Sequence, residues 1–98
     1  MAVKIDPEGR ELAALRQVVD LTGLRVLDVG CGSGRLVWRI ASEAASVLGI
    51  DTDAELIETA CRETPPELRG KVEFREASIV ELEEPPARFD LVFFTWSL

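Results

Sequence analysis

Three glycines at alternate positions, Gly30, Gly32 and Gly34, follow the run Val26-Leu27-Asp28-Val29, and an aspartate, Asp51, stands about 20 residues further on. Each residue type suits a distinct task. Gly30 lets a chain leaving a strand turn sharply. Gly32 leaves the surface bare, so that a ligand can approach backbone N–H groups, and Gly34 permits close approach where a helix begins. A carboxylate at Asp51 can accept hydrogen bonds from both hydroxyls of a ribose. Together they form the layout of a nucleotide or nucleoside site at the carboxyl end of the first strand of a parallel sheet.

Two further residues near this turn carry reactive groups. Asp28 interrupts an otherwise apolar run, and a buried carboxylate needs partners. It can take backbone N–H groups of the turn, reach an ammonium through water, or serve only to hold the turn. Cys31 lies inside the turn, but the chain contains no histidine to activate a thiolate, so the expected role is a small, half-buried filler. The spacing also separates ligand classes. A dinucleotide fingerprint G-x-G-x-x-G requires glycine where Arg35 stands, and no G-x-x-x-x-G-K-[ST] is present. The pattern is G-x-G-x-G, which suits a ligand without a pyrophosphate.

The elements that must position these groups follow from periodicity. Residues 1–5 read as a loose lead-in. Asp6-Pro7 reads as a cap and first turn, with a helical pattern from Glu8 to about Asp20 that Thr22-Gly23 stops. Arg25–Val29 is the first strand, and Arg35 to about Ala45 a helix with Leu36, Val37, Ile40, Ala41 and Ala44 as its apolar stripe. Ser46–Ile50 is a second strand. Thr52 and Glu55 read as a capping box for a helix that runs to Glu63, buries Leu56, Ile57, Ala60 and Cys61, and ends before Pro65-Pro66. Asp53 falls where a carboxylate favours the first turn of that helix. Val72–Arg75 is a third strand, Ala77–Glu84 a helical turn or loop, and Asp90–Thr95 a fourth, strongly apolar strand. This order argues for right-handed parallel crossovers in a three-layer α/β sheet with strand order 3-2-1-4.

Composition bounds what such a sheet can meet. Ninety-eight residues, 47% of them apolar and 30% charged, make one soluble domain at most. The formal charge of −7 and the lack of any basic run argue against sequence-independent binding to nucleic acid. Without histidine, a histidine base and histidine metal ligands are excluded; no metal site is expected. Cys31 and Cys61 form no CxxC and fit a reducing, cytoplasmic setting, and no stretch reaches the length of a membrane span.

At this point the residues carry a family resemblance. Val26-Leu27-Asp28-Val29-Gly30-Cys31-Gly32-Ser33-Gly34 resembles motif I of the class I, Rossmann-like S-adenosylmethionine-dependent methyltransferases. Leu48-Gly49-Ile50-Asp51 is similar to their acidic second-strand motif. Phe89 to Leu98 is similar to the fourth-strand motif, notably in the ubiquinone-biosynthesis and other small-molecule group. The resemblance implies S-adenosylmethionine as cofactor and a small-molecule methyl acceptor. It places Asp28 and Gly30 at the methionine part, Gly32 along the cofactor backbone with Cys31 and Gly34 in the same turn, and Asp51 on the ribose. Thr52 would border the adenine, and Thr95 and Trp96 the methionine and substrate side. One position departs: where the family often has an aspartate after the third strand, this chain has Ala77 followed by Ser78. A backbone contact can replace that carboxylate, and Glu76 is a substitute one residue away.

The resemblance covers about residues 7–98 but only the first half of the family's seven-stranded fold, so a truncated domain is expected. The fourth strand then becomes an uncapped apolar edge, an association hazard open to a second copy or a partner chain. Besides methyl transfer, the residues leave room for a non-catalytic cofactor-binding module and for a nicotinamide-binding half domain. With neither histidine nor tyrosine in the chain, any base must be a carboxylate, a lysine, a cysteine or part of the substrate; no catalytic residue is named.

Overall fold

A computed structural model describes residues 2–4, 20–81 and 88–94. The expected helix over residues 8–19 and the positions of Thr95 and Trp96 lie outside these residues. The strands are β1 (Ala2–Lys4), β2 (Arg25–Val29), β3 (Ser46–Asp51), β4 (Val72–Glu76) and β5 (Leu91–Phe94); the helices are α1 (Arg35–Ala41) and α2 (Ala54–Glu63). All strand pairs are parallel, in the order β1-β5-β2-β3-β4. The four strands expected from the sequence therefore take the 3-2-1-4 arrangement.

One edge differs from expectation. The lead-in is not loose: Ala2–Lys4 pairs with β5, Ala2 opposite Val92 and Lys4 opposite Phe94. The edge of β5 expected to be uncapped is thus occupied by a short parallel strand. Pairing of β5 with a second copy would first require β1 to leave.

The continuous apolar runs of β2, β3 and β5 serve two faces, as befits strands covered on both sides. Val26, Val47, Leu91 and Phe93 join Val37 and Ile40 of α1 and Ile57 of α2 in one core. Leu27, Leu48 and Ile50 form a second cluster on the opposite face, with Val29, Phe89 and Val92 packed against it. Among the described residues Phe93 is the largest fully buried side chain.

Helix ends fall slightly inside the expected bounds, for local reasons. The Ser42 hydroxyl donates to the Arg39 carbonyl (2.7 Å), and the Ala45 N–H turns away to the Leu24 carbonyl (2.8 Å), so α1 stops at Ala41. The cap of α2 is Asp53, not Thr52: its Oδ1 accepts from the N–H groups of Glu55 (3.0 Å) and Leu56 (3.2 Å). A carboxylate at that position satisfies two orphan donors and complements the helix dipole, which a threonine one residue earlier does not do here.

The starts of β2 and β5 are clasped. Asp90 Oδ2 accepts from the Arg25 N–H (2.8 Å) and Nε (3.2 Å), while the Asp90 N–H donates to the Arg25 carbonyl (2.7 Å). Hydrogen bonds from Arg25 hold the Asp90 carboxyl below its ordinary range. A depressed carboxylate stabilises the fold above its unfolded pKa of about 3.9, and that contribution fades as pH falls through the folded value. Asp90→Ala should therefore lower the urea midpoint at pH 7, with the gap to the parent chain narrowing below about pH 4. A gap that does not change with pH would show the clasp to be backbone-borne.

Candidate functional site

The glycine turn is held from β3 as well as from its own strand. The Ile50 carbonyl accepts from the N–H groups of Gly30 (2.8 Å) and Cys31 (3.0 Å). Asp51 Oδ2 accepts from the Gly32 N–H at 2.9 Å, and Oδ1 from the Asp53 N–H at 2.9 Å. The Gly34 N–H donates to the Cys31 carbonyl (3.2 Å). The surface at Gly32 is bare as expected, since a Cβ there would meet nothing within 4 Å. Its N–H, however, is engaged by Asp51 and does not await a ligand. With these donors turned inward, the turn is no cradle for phosphates, in contrast to loops that aim successive N–H groups at an anion.

Beside the turn lies an open cleft of about 590 Å³, a size suited to a small-molecule ligand. Of the expected site residues, Gly30, Cys31, Gly32, Asp51, Thr52, Ala77 and Ser78 line it. Asp28 is fully buried and does not, so any role toward a ligand runs through the turn above it. Gly34 is also buried: a Cβ there would sit 2.6 Å from Phe74 Cζ and 3.3 Å from Ala60 Cβ. Glu76 ends β4 exposed and outside the lining. Thr95 lies outside the described residues.

The carboxylate of Asp51 still offers acceptor sites. Two ionised oxygens carry about four lone-pair positions, of which the backbone takes two. The remainder face a cleft walled by Leu56 and Ile79, 38% and 40% exposed. Next to them the Ser78 Oγ is buried with no hydrogen-bond partner. The arrangement is a polar end for vicinal hydroxyls and apolar walls for a flat ring.

Comparison with known proteins decides the family. Residues 26–98 match the methyltransferase-domain family. The chain belongs to the class I S-adenosylmethionine-dependent methyltransferases. It is 44% identical over 62 residues to the magnesium-protoporphyrin O-methyltransferase of Rhodobacter capsulatus, covering 63% of this chain and 28% of that protein. With the ubiquinone biosynthesis O-methyltransferase of Xylella fastidiosa it shares 41% identity over 98 residues, 89% of this chain and 39% of the relative. The chain thus spans well under half the length of either relative. Among solved structures, the magnesium protoporphyrin IX methyltransferase of Synechocystis with bound S-adenosylmethionine superposes with a TM-score of 0.70 at 27% identity, over 86% of this chain and 40% of that one. The 4+2 cyclase SpnF superposes at 0.68 with 34% identity, over 84% and 30%.

Within this methyltransferase domain the sequence reading missed several cleft residues, Leu56, Ile79, Arg35 and Leu36 among them. A signal existed for Leu56. Ile57 and Ala60 are the residues α2 buries, and Leu56, four before Ala60, lies on one flank of that face, at the rim of the core and within the cleft lining. Cys61, expected in the core, is exposed on the other flank of that face, four beyond Ile57. No comparable signal marks Ile79, which reaches the cleft only because the loop after β4 turns back to it.

Cys31 is buried, and burial first, then the negative charges of Asp28 and Asp51, push its thiol far above the ordinary range. It is a protonated filler and not a nucleophile. In native protein at about pH 8, iodoacetamide should label Cys61 and spare Cys31, with both labelled in urea. Because its folded pKa is raised, stability should fall as pH climbs past the unfolded value of about 8.5. Gly34→Ala, which combines φ +91° with the clash against Phe74, should cost about 2–4 kcal/mol in urea denaturation. Gly70→Ala, where a Cβ meets nothing within 4 Å, should stay within about 0.5 kcal/mol.

Proposed function

We propose that this chain is the S-adenosylmethionine-binding part of a small-molecule O-methyltransferase. The observation that carries the reading is Asp51. Its carboxylate is fixed by two backbone N–H groups and presented to a cleft whose neighbouring turn has its donors engaged internally. That is a nucleoside site without phosphate recognition. It suits an adenosine whose 5′ substituent is a thioether or sulfonium.

In this reading Asp51 accepts the two ribose hydroxyls, and Leu56 and Ile79 flank the base. Ala77 and Ser78 stand at the wall where the family often places a carboxylate, and a backbone contact there takes its place. Thr52 borders the ring, Gly30 and Cys31 line the path toward the methionine end, and Thr95 is assigned to the same end. The bound cofactor supplies a methyl carbon already activated on a sulfonium, so the chemistry is attack by the acceptor oxygen with departure of the thioether. The protein's share is alignment of that oxygen in line with the departing sulfur. Both curated relatives are O-methyltransferases by name, which supports oxygen as the acceptor atom. Among the described residues the cleft lining holds no histidine, lysine or tyrosine, and in this reading the acceptor arrives ionised or loses its proton to a carboxylate or to solvent.

A second reading is a binding module that performs no methyl transfer. The likeness to a 4+2 cyclase at 34% identity shows that this fold also carries a protein of another name.

Calorimetry with S-adenosylhomocysteine tests the proposal. Micromolar binding is expected, weakened about 10–100-fold by Asp51→Ala, with the loss of charge-assisted hydrogen bonds. NADH binding as tight as S-adenosylhomocysteine would overturn the reading. Retained cofactor binding with no labelled methyl passed to any of a panel of phenols and carboxylates would favour the binding module.

A further inference from the structure

At the opposite end of the strands from the cleft lies a second groove, of about 540 Å³. Arg25, Arg69, Lys71, Arg75 and Arg88 line it, five of the chain's 11 cationic side chains. They are scattered over 63 positions of sequence and form no basic run, yet the parallel register of β2, β3 and β4 gathers their starting ends at one edge. Arg25 is paired with Asp90 and Arg75 with Glu73. Among the described residues no carboxylate pairs with Arg69, Lys71 or Arg88. The net charge of −7 is therefore unevenly spread, with cationic side chains gathered at this groove.

We propose that this groove is a second ligand site, for a compact anion carrying two or more phosphate or carboxylate groups. Concentrating like charge in a concavity is unfavourable unless an anion answers it, and low-dielectric walls focus the resulting field into the groove. Several guanidinium groups offer forked donors that match phosphate and carboxylate oxygens, and Arg25 keeps N–H donors beyond those given to Asp90. The floor adds a second requirement. Val47, Leu48, Val72 and Phe89 put apolar surface between the cations, so the anionic groups are best carried on a partly apolar frame. A long nucleic acid fits less well. Each phosphate beyond the groove would meet a surface more acidic than the chain's average, and counterion release would supply little.

The test uses the intact chain, with inorganic tripolyphosphate and citrate as separate probes and calorimetry at low salt. At least one should bind with a Kd of about 10–100 μM, weaken at least about tenfold by 0.5 M salt, and weaken similarly in Arg69→Gln/Arg88→Gln and in Lys71→Gln. The tighter probe tells phosphate from carboxylate. The urea midpoints of the variants, expected to be unchanged, establish folding independently of the cofactor cleft. Absence of binding by both probes, binding that the variants leave intact, or competition by saturating S-adenosylhomocysteine would overturn the assignment. So would a single-stranded oligothymidine of about 20 nucleotides that binds more tightly than tripolyphosphate, which would make the groove part of a strand-binding track.

Discussion

The carboxylate of Asp51 is the joint on which the site depends. It ends β3, and its two oxygens reach in different directions, one to the Gly32 N–H of the turn and one to the Asp53 N–H ahead of α2. Asp53 in turn caps α2. The turn after β2 and the entry to α2 are therefore tied to one anionic group, and the Ile50 carbonyl next to it holds Gly30 and Cys31. Hydrogen bonds to an ionised acceptor contribute about 1.5–3 kcal/mol each. The cleft is shaped by these bonds before any ligand arrives, which is the condition for orienting a ligand without reorganising the protein.

That joint also explains the kind of ligand. Glycine turns of similar outline bind pyrophosphate because successive N–H groups point outward at a helix start. Here those of Gly30, Cys31, Gly32 and Gly34 are directed to protein oxygens, and α1, with Gly34 as its N-cap, has no side-chain cap and no acidic residue in its first turn. What the lining offers a ligand is the Asp51 acceptor, apolar walls and the side chain of Arg35. Donor-rich loops select anions; an acceptor-rich one selects hydroxyls and amino groups. The one-residue difference between G-x-G-x-G and G-x-G-x-x-G thus coincides with a difference in where the backbone donors go.

Much of this was legible in the sequence, for reasons that are local. Apolar runs bounded by glycine and proline give β2, β3 and β5 their extent, and their order gives the sheet. The turn and Asp51 were recognisable because residue type and spacing both reflect contacts made within a single strand-helix-strand unit. What stayed hidden rests on contacts between distant segments. The pairing of Ala2–Lys4 with β5 joins residues some ninety positions apart, and three residues carry too little pattern to announce a strand. The cap of α2 moved one residue because Asp53 outcompetes Thr52 once the Asp51 carboxylate fixes the local backbone. Ile79 belongs to the cleft through the path of a loop, and no periodicity records a path.

Charge shows the same division most sharply. A net charge of −7 is a property of composition, and it predicts the far field of the molecule. The near field depends on register. In a parallel sheet every strand starts at the same end, so residues that precede or open successive strands converge there whatever their separation in sequence. Arg25 opens β2, Lys71 immediately precedes β4, and Arg88 lies just ahead of β5. The carboxyl ends, governed by the same rule, collect the glycine turn, Asp51 and Ala77-Ser78. One topological constraint thus builds two chemically different ends from a single sheet: a cleft that carries the Asp51 acceptor, and a cation-lined groove that a count of charges would assign to neither end.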